Sequence, residues 1–432
     1  MNRYIRYVMS LLAVMAVSLS AQAQVVIDNS GNGQDEEIVD NKEGDDVADS
    51  TMVDSIPPDT LRMPWPQAMQ KGIDRLLQSK MFETSQVGIM VWDLSADSCL
   101  YRFRERQLMR PASTMKLVTA ITALDKLGGS YQFKTQLKFT GTVENGVLKG
   151  DIYCIGGMDP RFNTDDMTAF VTSLKDMGVD SIQGSIYADR SMKDADLLGE
   201  GWCWDDDNPV LSPLVFGRKD NFMDRFLAKL RDAGIVYAGF GASVKSCPPS
   251  AFSICTRFHT MDQILHKMMK DSDNLYAESM YYQIASSTGN RPASAKSARS
   301  VERQLIKKIG LDPQRYKLAD GSGLSLYNYL SAELEVKLLR YAYHDDNILP
   351  HLKQSLPVAG VDGTLKKRMK AGFAHGNVKA KTGTLTGIIA LAGYCTAANG
   401  HDLCFSIINN GIMHGNNARN FADKVCELLC QP

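Results

Sequence analysis

Residues Pro111 to Ala120, PASTMKLVTA, place a serine three residues before a lysine at the start of an apolar run. Positions i and i+3 lie on one face of a helix, so the Ser113 hydroxyl and the Lys116 amine can meet. An apolar stripe follows and stops at Gly128-Gly129, which predicts a helix of about four turns that begins near Ser113. Serine is also a common helix N-cap. Taken alone, this stretch fits an ordinary helix start as well as a nucleophile beside its base.

The composition is that of an ordinary globular protein. The chain has 432 residues, of which 44% are hydrophobic and 22% are charged. This length exceeds what one small core needs, and it predicts two or three domains.

The first 23 residues have the pattern of a secretory signal peptide. Two arginines precede a short apolar run, and Ala21-Gln22-Ala23 gives a small-x-small cleavage site. The run is too short to span a bilayer comfortably, and no later segment reaches transmembrane length. We therefore expect an exported protein, located in the periplasm or cell envelope, without a transmembrane anchor.

Residues 24–60 are predicted to be a disordered acidic linker. They hold eleven Asp or Glu against one Lys, and few large apolar residues, so they cannot bury enough surface to offset the chain entropy lost on folding. The whole chain carries a net charge of −1, the linker −10 and the signal +2, which leaves +7 for the remainder. A mildly basic body suits an anionic envelope and is too weakly charged to indicate nucleic-acid binding.

Neither a metal nor a cofactor is expected. The sequence has no CxxC or HExxH motif, and its seven histidines do not cluster at ligand spacing. Nine cysteines in an exported chain leave at least one thiol unpaired, and Cys247 and Cys255 could close a short loop.

The order of the predicted elements indicates an α+β fold with an insertion. An amphipathic helix from Trp65 and the two strands QVGIMVWDL and CLYRFRER precede the opening motif. A strand-rich stretch with Asn-Gly and Lys-Gly turns follows, then the helical pattern MDQILHKMMKDSDNLYAESMYYQIAS, and finally three strands and a last helix. We predict one catalytic domain from residues 61–130 and 259–432, with a smaller strand-rich domain, 131–258, inserted into it.

Two further short motifs stand downstream. Ser272-Asp273-Asn274 lies inside the predicted helical run, and Lys381-Thr382-Gly383-Thr384 lies on a predicted strand. Ser-x-x-Lys, Ser-Asp-Asn and Lys-Thr-Gly in this order are the signature of class A β-lactamases and penicillin-binding proteins. The combination favours a catalytic site over a plain helix start.

The chemistry of the motifs suggests a role for each catalytic candidate. A lysine is a base only when neutral, so the pKa of Lys116 must fall well below its usual value. Burial and a second cation nearby, here Lys381, both lower a lysine pKa. Ser113 would be the nucleophile, Ser272 can pass a proton to a leaving amine, and Asn274 can hold the amide of a substrate.

The strand of the third motif supplies the predicted substrate-binding residues Thr382, Gly383 and Thr384. Lys381 with the two threonine hydroxyls suits a free carboxylate. The N–H of Ser113 at a helix start and the N–H of Thr384 on an edge strand would form an oxyanion hole. A plain hairpin is the alternative for this motif alone, and it leaves the partner motifs unexplained.

Ser272 lies 159 residues after Ser113, which leaves room for a domain-sized insertion. With this spacing the chain resembles the D-alanyl-D-alanine carboxypeptidase/endopeptidase family, the class C low-molecular-weight penicillin-binding proteins. The likeness runs from about Ser85 to the C-terminus. The matching segments are ENGVLKGDIY, GGMDP, GWCWDD, KDSDNLYAE, DGSGLS, LPVAGVDGTL and KAKTGTLTGI.

The resemblance implies a transpeptidase-like, β-lactamase-like catalytic domain, in which an antiparallel five-stranded sheet is flanked by helices. It implies an exported serine peptidase that removes the terminal D-Ala of peptidoglycan stem peptides through an acyl-enzyme on Ser113. Cleavage of D-Ala cross-links to a diamino acid and covalent inhibition by β-lactams are further implications. A Ser-x-x-Lys β-lactamase and a non-hydrolytic β-lactam or muropeptide sensor are the alternatives, although a sensor would be expected to have a transmembrane segment.

The residues that the resemblance assigns to substrate recognition match the family less well than the catalytic motifs do. It implies that Asp206, in GWCWDD, binds the free amino end of the diamino acid. Trp202 and Trp204, two residues apart, would point the same way from an extended chain and form a wall beside the acids. A solvated acidic turn with the tryptophans in the core is the alternative. Some relatives carry Arg and Gln where this chain has Leu326 and Thr386. The pocket for the acyl side chain is therefore expected to differ.

Overall fold

The computed structural model describes residues 63–204, 208–239 and 242–432. The predicted signal peptide (1–23) and acidic linker (24–60) lie outside these residues. None of the helices described is long and apolar enough to cross a membrane.

Helices and strands occur in runs along the described part of the chain. The helices are α1 (Trp65–Leu76), α2 (Met115–Leu127), α3 (Thr164–Asp176), α4 (Phe222–Asp232), α5 (Met261–Lys270), α6 (Asn274–Ser286), α7 (Ala295–Lys308), α8 (Ala332–Tyr343), α9 (Leu349–Ser355) and α10 (Gly415–Cys430). The strands are β1 (Gln86–Asp93), β2 (Ser98–Phe103), β3 (Gln132–Phe139), β4 (Thr142–Glu144), β5 (Val147–Lys149), β6 (Ile152–Ile155), β7 (Ser181–Ile182), β8 (Ile186–Asp189), β9 (Val236–Tyr237), β10 (Ser243–Val244), β11 (Phe252–Thr260), β12 (Lys379–Leu385), β13 (Ile388–Thr396) and β14 (Asp402–Asn410).

The main sheet has five antiparallel strands in the order β12–β13–β14–β1–β2. It joins the first hairpin of the chain to the last three strands, with Ile89 opposite Ile407 where the two parts meet. Apolar side chains of β1 alternate between the two faces, because successive residues of a strand point to opposite sides. The predicted α+β class and the predicted strands at both ends of the chain are confirmed.

Helices cover both faces of the main sheet. Val87, Ile89 and Val91 pack with α1 and α10 on one face, whereas Met90 packs with α2 and α8 on the other. Helix α2 is buried without interruption from Met115 to Leu124, as expected for a helix that is apolar on all sides. Any polar residue near its start is therefore removed from water.

Residues 132–260 form two smaller sheets, which span almost all of the predicted insertion (131–258) and end two residues beyond it. One is mixed, in the order β10–β8–β6–β3–β11, and the other has the order β4–β5–β7–β9. Helices α3 and α4 share a hydrophobic core with these strands. Asn145 and Gly146 both take left-handed backbone angles between β4 and β5, which is the two-residue hairpin turn that Asn-Gly favours.

The predicted single helical run through Ser272 is wrong, because two helices replace it. Helix α5 ends at Lys270, and α6 begins at Asn274. Ser272 has a left-handed φ of 60°, which a continuing helix cannot contain. The Asp273 side chain accepts a hydrogen bond from the N–H of Tyr276 and so caps α6. Ser272-Asp273-Asn274 is therefore a turn between helices.

Candidate active site

Ser113 lies in a single 3₁₀ turn, Ala112–Thr114, directly before α2. The preceding residue, Ala112, has a φ of 48°, a left-handed conformation that alanine adopts at a cost. Strained backbone of this kind persists only where surrounding contacts hold it. The turn presents the partly exposed Ser113 directly before the buried part of the helix, Met115 to Leu124.

Lys116 is fully buried one turn after Ser113. Its Nζ donates to Ser113 Oγ at 3.0 Å, to Asn274 Oδ1 at 2.7 Å and to the Ser322 carbonyl at 2.9 Å. Burial lowers the pKa of Lys116 to about 8, against the opposing effect of the carboxylates nearby. The amine can therefore lose its proton near neutral pH, which a general base requires.

Lys381 and Ser272 form the second pair of the site. Lys381 Nζ donates to Ser272 Oγ at 2.8 Å and to the Thr382 carbonyl at 2.8 Å. Lys381 is also fully buried, and both burial and the positive charge of Lys116 hold its pKa well below the usual range. The repulsion that we predicted between the two cations lowers the pKa of Lys381, whereas burial lowers that of Lys116.

Three contacts hold the turn of Ser272 from outside. Arg218 Nη1 donates to Asp273 Oδ2 at 2.8 Å, and Lys270 Nζ donates to Asp362 Oδ2 at 2.6 Å. The backbone also approaches closely here, since a Cβ at Gly363 would lie 2.7 Å from the Lys270 carbonyl. These contacts thus hold the turn that presents Ser272 to Lys381 and Asn274 to Lys116.

The Lys-Thr-Gly strand, β12, is an edge strand of the main sheet and lies against the turn of Ser113. A Cβ at Gly383 would lie 2.6 Å from the Pro111 carbonyl and 3.2 Å from the Thr114 nitrogen. Any side chain there would push the strand away from Ser113, so the close approach requires glycine. Thr384 is exposed on the same strand, and Thr382 Oγ1 donates to Thr364 Oγ1 at 2.8 Å.

Glu278 is a buried acidic residue of the site that the three motifs did not predict. Glu278 Oε1 accepts from the N–H of Gly321 and of Ser322, at 3.0 and 2.7 Å, and so directs the Ser322 carbonyl toward Lys116. Burial raises the pKa of Glu278 to about 8. The segment KDSDNLYAE contains Glu278 four residues after Asn274, but the sequence alone does not show what an inward-facing acid at that position would bind.

Asp320 organises the glycine-rich loop beside Lys116. Its carboxylate accepts from Trp202 Nε1 at 2.8 Å and, at 2.7–2.8 Å, from the N–H of Gly323, the N–H of Ser325 and Asn328 Nδ2. In the sequence, the DGSGLS segment stands out only through its likeness to the family, whereas in the structure it forms a glycine-rich turn beside Lys116. Its first residue ties that turn to residues 132–260, through Trp202 of a segment far away in sequence.

The structure describes only some of the residues that we predicted to recognise the substrate. Asp206 lies outside the described residues, and its role stays a prediction. Our expectation of two parallel tryptophans is wrong, because Trp202 sits in a turn and donates to Asp320 whereas Trp204 is 84% exposed. Leu326 and Thr386 are both exposed. Cys247 and Cys255 are free thiols, so the short disulfide loop that we considered does not form.

The profile of the D-Ala-D-Ala carboxypeptidase 3 (S13) family matches residues 69–215 and 211–431. The chain belongs to this family. The family resemblance predicted from the motifs is confirmed.

Similar proteins agree with this assignment. D-alanyl-D-alanine carboxypeptidase DacB of Haemophilus influenzae is 26% identical over 78% of this chain and 88% of its own length. D-alanyl-D-alanine carboxypeptidase of Actinomadura sp. is 26% identical over 79% of this chain and 81% of its own. The crystal structure of penicillin binding protein 4 from H. influenzae superposes with a TM-score of 0.74 at 24% identity, over 82% of this chain and 97% of that one. The predatory endopeptidase Bd3459 of Bdellovibrio bacteriovorus shares the fold, with a TM-score of 0.54 at 19% identity over 80% and 93%.

Proposed function

We propose that this protein is a serine DD-peptidase that cleaves the terminal D-Ala-D-Ala bond of peptidoglycan stem peptides through an acyl-enzyme on Ser113. One observation carries the proposal: the Nζ atom of the fully buried Lys116 lies 3.0 Å from Ser113 Oγ, with a pKa lowered to about 8. A hydroxyl next to a buried amine of lowered pKa is the arrangement of an activated nucleophile. Membership of a carboxypeptidase family supports the same reaction.

In the acylation step, Ser113 Oγ attacks the carbonyl carbon of the penultimate D-Ala, and its proton moves to Lys116 Nζ. The negative charge on the carbonyl oxygen is stabilised by the N–H groups of Ser113 and Thr384. The C–N bond then breaks, and the departing D-Ala amine takes up the proton that Lys116 received, by way of Ser272. In the second step the neutral Lys116 accepts a proton from water as the water oxygen attacks the ester. Lys116 passes that proton to Ser113 Oγ as the ester bond breaks and the shortened peptide leaves as a carboxylic acid.

The carboxylate of the terminal D-Ala is proposed to bind along β12. Lys381 supplies positive charge, and the hydroxyls of Thr382 and Thr384 supply hydrogen bonds. Asn274 accepts from Lys116 through its amide oxygen, an orientation that turns its amide nitrogen away from the lysine. That nitrogen is proposed to hold the carbonyl of the substrate backbone.

β-Lactams are proposed to acylate Ser113 because they present a reactive amide and a carboxylate to the same groups. Two solved relatives carry such compounds: penicillin binding protein 4 of H. influenzae in complex with a β-lactam, and Bd3459 acylated by penicillin G. Cleavage of D-Ala cross-links is also proposed, with Asp206 as the group that binds the amino end of the diamino acid. Export to the periplasm or cell envelope completes the proposal, since that is where the substrate lies.

The test combines two readouts on the same protein. Purified protein should release D-Ala from a pentapeptide that ends in D-Ala-D-Ala, and a fluorescent penicillin should label it. Ser113→Ala should abolish both. Ser294→Ala removes a serine from the start of another helix, α7, and should leave both unchanged. Rapid, repeated turnover of benzylpenicillin without D-Ala release would instead indicate a β-lactamase.

A further inference from the structure

Arg218 occupies a backbone conformation that arginine disfavours. Phe216 and Lys219 exchange both backbone hydrogen bonds, at 3.0 and 3.1 Å, and so close a two-residue turn over Gly217 and Arg218. The φ angles of these two residues are 55° and 65°. Both lie in the left-handed region, where glycine or asparagine is favoured and a longer side chain is strained. Strain at a defined position points to a contact that the strained residue provides.

The contact is made to the middle residue of the second motif. Arg218 Nη1 donates to Asp273 Oδ2 at 2.8 Å, while Asp273 Oδ1 accepts from the N–H of Tyr276. The Asp273 side chain is only 8% exposed, against 43% for Arg218. One oxygen therefore caps helix α6 and the other receives the guanidinium, so the carboxylate is held from two directions.

The residues on either side of Asp273 are the ones that meet the two lysines. Ser272 Oγ accepts from Lys381 at 2.8 Å, and Asn274 Oδ1 accepts from Lys116 at 2.7 Å. Ser272 itself is strained, with a φ of 60°. A shift of Asp273 would therefore move both hydrogen-bonding groups, and an error of about 1 Å in such a site costs a large factor in rate.

We propose that Arg218 is a positioning residue, which fixes Asp273 and thereby keeps Ser272 and Asn274 in line with the two lysines. The inference rests on the proposed function, because it concerns the acylation of Ser113. It gives the strand-rich residues 132–260 a part in the reaction, through a single side chain that reaches the turn between α5 and α6.

The ion pair also affects the charge around Lys116. Asp320, Asp273 and Glu278 favour the protonated form of Lys116, whereas burial opposes it. Arg218 offsets the negative charge of Asp273. Without Arg218, Asp273 acts on Lys116 uncompensated, and the pKa of Lys116 rises. Less of the amine is then neutral at a given pH, so the acidic limb of the acylation rate should move to higher pH.

The substitution Arg218→Gly separates positioning from folding, since glycine suits the left-handed turn better than arginine does. We expect the melting temperature to stay the same or rise. The acylation rate of Ser113 by a fluorescent penicillin should fall by about three- to tenfold, and its acidic limb should move to higher pH. Arg218→Lys, which keeps the charge, should recover part of the rate.

Two further variants complete the experiment. Arg190→Ala removes a bidentate ion pair with Asp220 in the same part of the chain and should leave the acylation rate unchanged. Asp273→Asn keeps an acceptor for the cap of α6 but removes the charge. In that background, Arg218→Gly should cause no further loss, because coupled residues are not additive.

The possible outcomes are distinct. If Arg218→Gly is acylated as fast as the wild type, or loses rate only in step with a lower melting temperature, the positioning role is overturned and the proposed function stands. If the wild type and Arg190→Ala are not labelled at Ser113 at all, the proposed function itself fails.

Discussion

Lys116 is the residue whose protonation state decides the chemistry at Ser113. Its three acceptors, Ser113 Oγ, Asn274 Oδ1 and the Ser322 carbonyl, match the three protons of an ammonium group. Once Lys116 is neutral, it has one proton fewer than it has partners, and its lone pair can accept the proton of Ser113. The same geometry therefore serves the resting state and the reactive state.

We predict that Lys116→Arg is as inactive as Lys116→Ala in acylation by a fluorescent penicillin. A guanidinium does not lose its proton at working pH, so it supplies charge and reach but no base. Lys126→Arg, on the exposed last turn of the same helix, is the matched control and should retain full activity. An active Lys116→Arg enzyme would mean that residue 116 acts only through its charge.

The pH dependence of acylation follows from the lowered pKa of Lys116. Burial brings that pKa to about 8, and only the neutral amine can accept a proton from Ser113. The rate should therefore fall as the pH drops through about 8, by about tenfold for each further pH unit. Measurements of the acylation rate against pH check this, with the melting temperature recorded over the same range as a control for folding. A rate that rises toward acidic pH would contradict the assignment of Lys116 as the base.

At the scale of elements, the site forms where β12, the turn of Ser113 and the turn between α5 and α6 approach one another. The approach of β12 depends on Gly383, since a Cβ there would lie 2.6 Å from the Pro111 carbonyl. The other turn depends on Asp273, which caps α6. Backbone geometry, as much as the reactive side chains, therefore sets the distances of the site.

Gly383→Ala tests the approach of β12. The added methyl group must push the strand from the turn of Ser113, which we expect to lower the free energy of unfolding by about 1–3 kcal/mol. Acylation should fall by about a hundredfold, because the oxyanion hole spans both elements. Lys379→Ala, at the start of the same strand, serves as the control. Unchanged acylation in Gly383→Ala would show that the close approach is not needed for the reaction.

The sequence predicts regular elements well here and irregular ones poorly. The short apolar stretch of β1 and the apolar run of α2 were both predicted correctly, as a strand and a helix. The break at Ser272 was missed because the apolar pattern continues on both sides of it. The contacts of Ser322 and Arg218 with the motifs also escaped prediction, because residues far apart in sequence make them and no local pattern records them.

At the scale of the whole molecule, residues 132–260 contact two parts of the active site that lie later in the sequence. Trp202 donates to Asp320, which shapes the loop beside Lys116, and Arg218 donates to Asp273. The strand-rich segment thus holds both the loop and the turn whose residues Ser322 and Asn274 accept hydrogen bonds from Lys116. Changes at Trp202 or Arg218 should therefore alter acylation even though this segment contributes none of the three motifs.

Deletion of residues 24–60 should leave both the melting temperature, within about 2 °C, and the turnover nearly unchanged. The segment has too little apolar surface to contribute to a core, and its charge is spread over eleven acidic residues. Thermal melts and D-Ala release on the shortened and full chains check this. A fall of many degrees would show that the segment binds to the rest of the protein.

Ser113 as the acylated nucleophile is the central claim, and mapping the covalent adduct of benzylpenicillin tests it most directly. The protein is incubated with benzylpenicillin, digested, and analysed by mass spectrometry to locate the modified residue. We predict one penicilloyl group per chain, on Ser113, and none on Ser113→Ala under the same conditions. An adduct on another residue, or an adduct that persists in Ser113→Ala, would contradict the account.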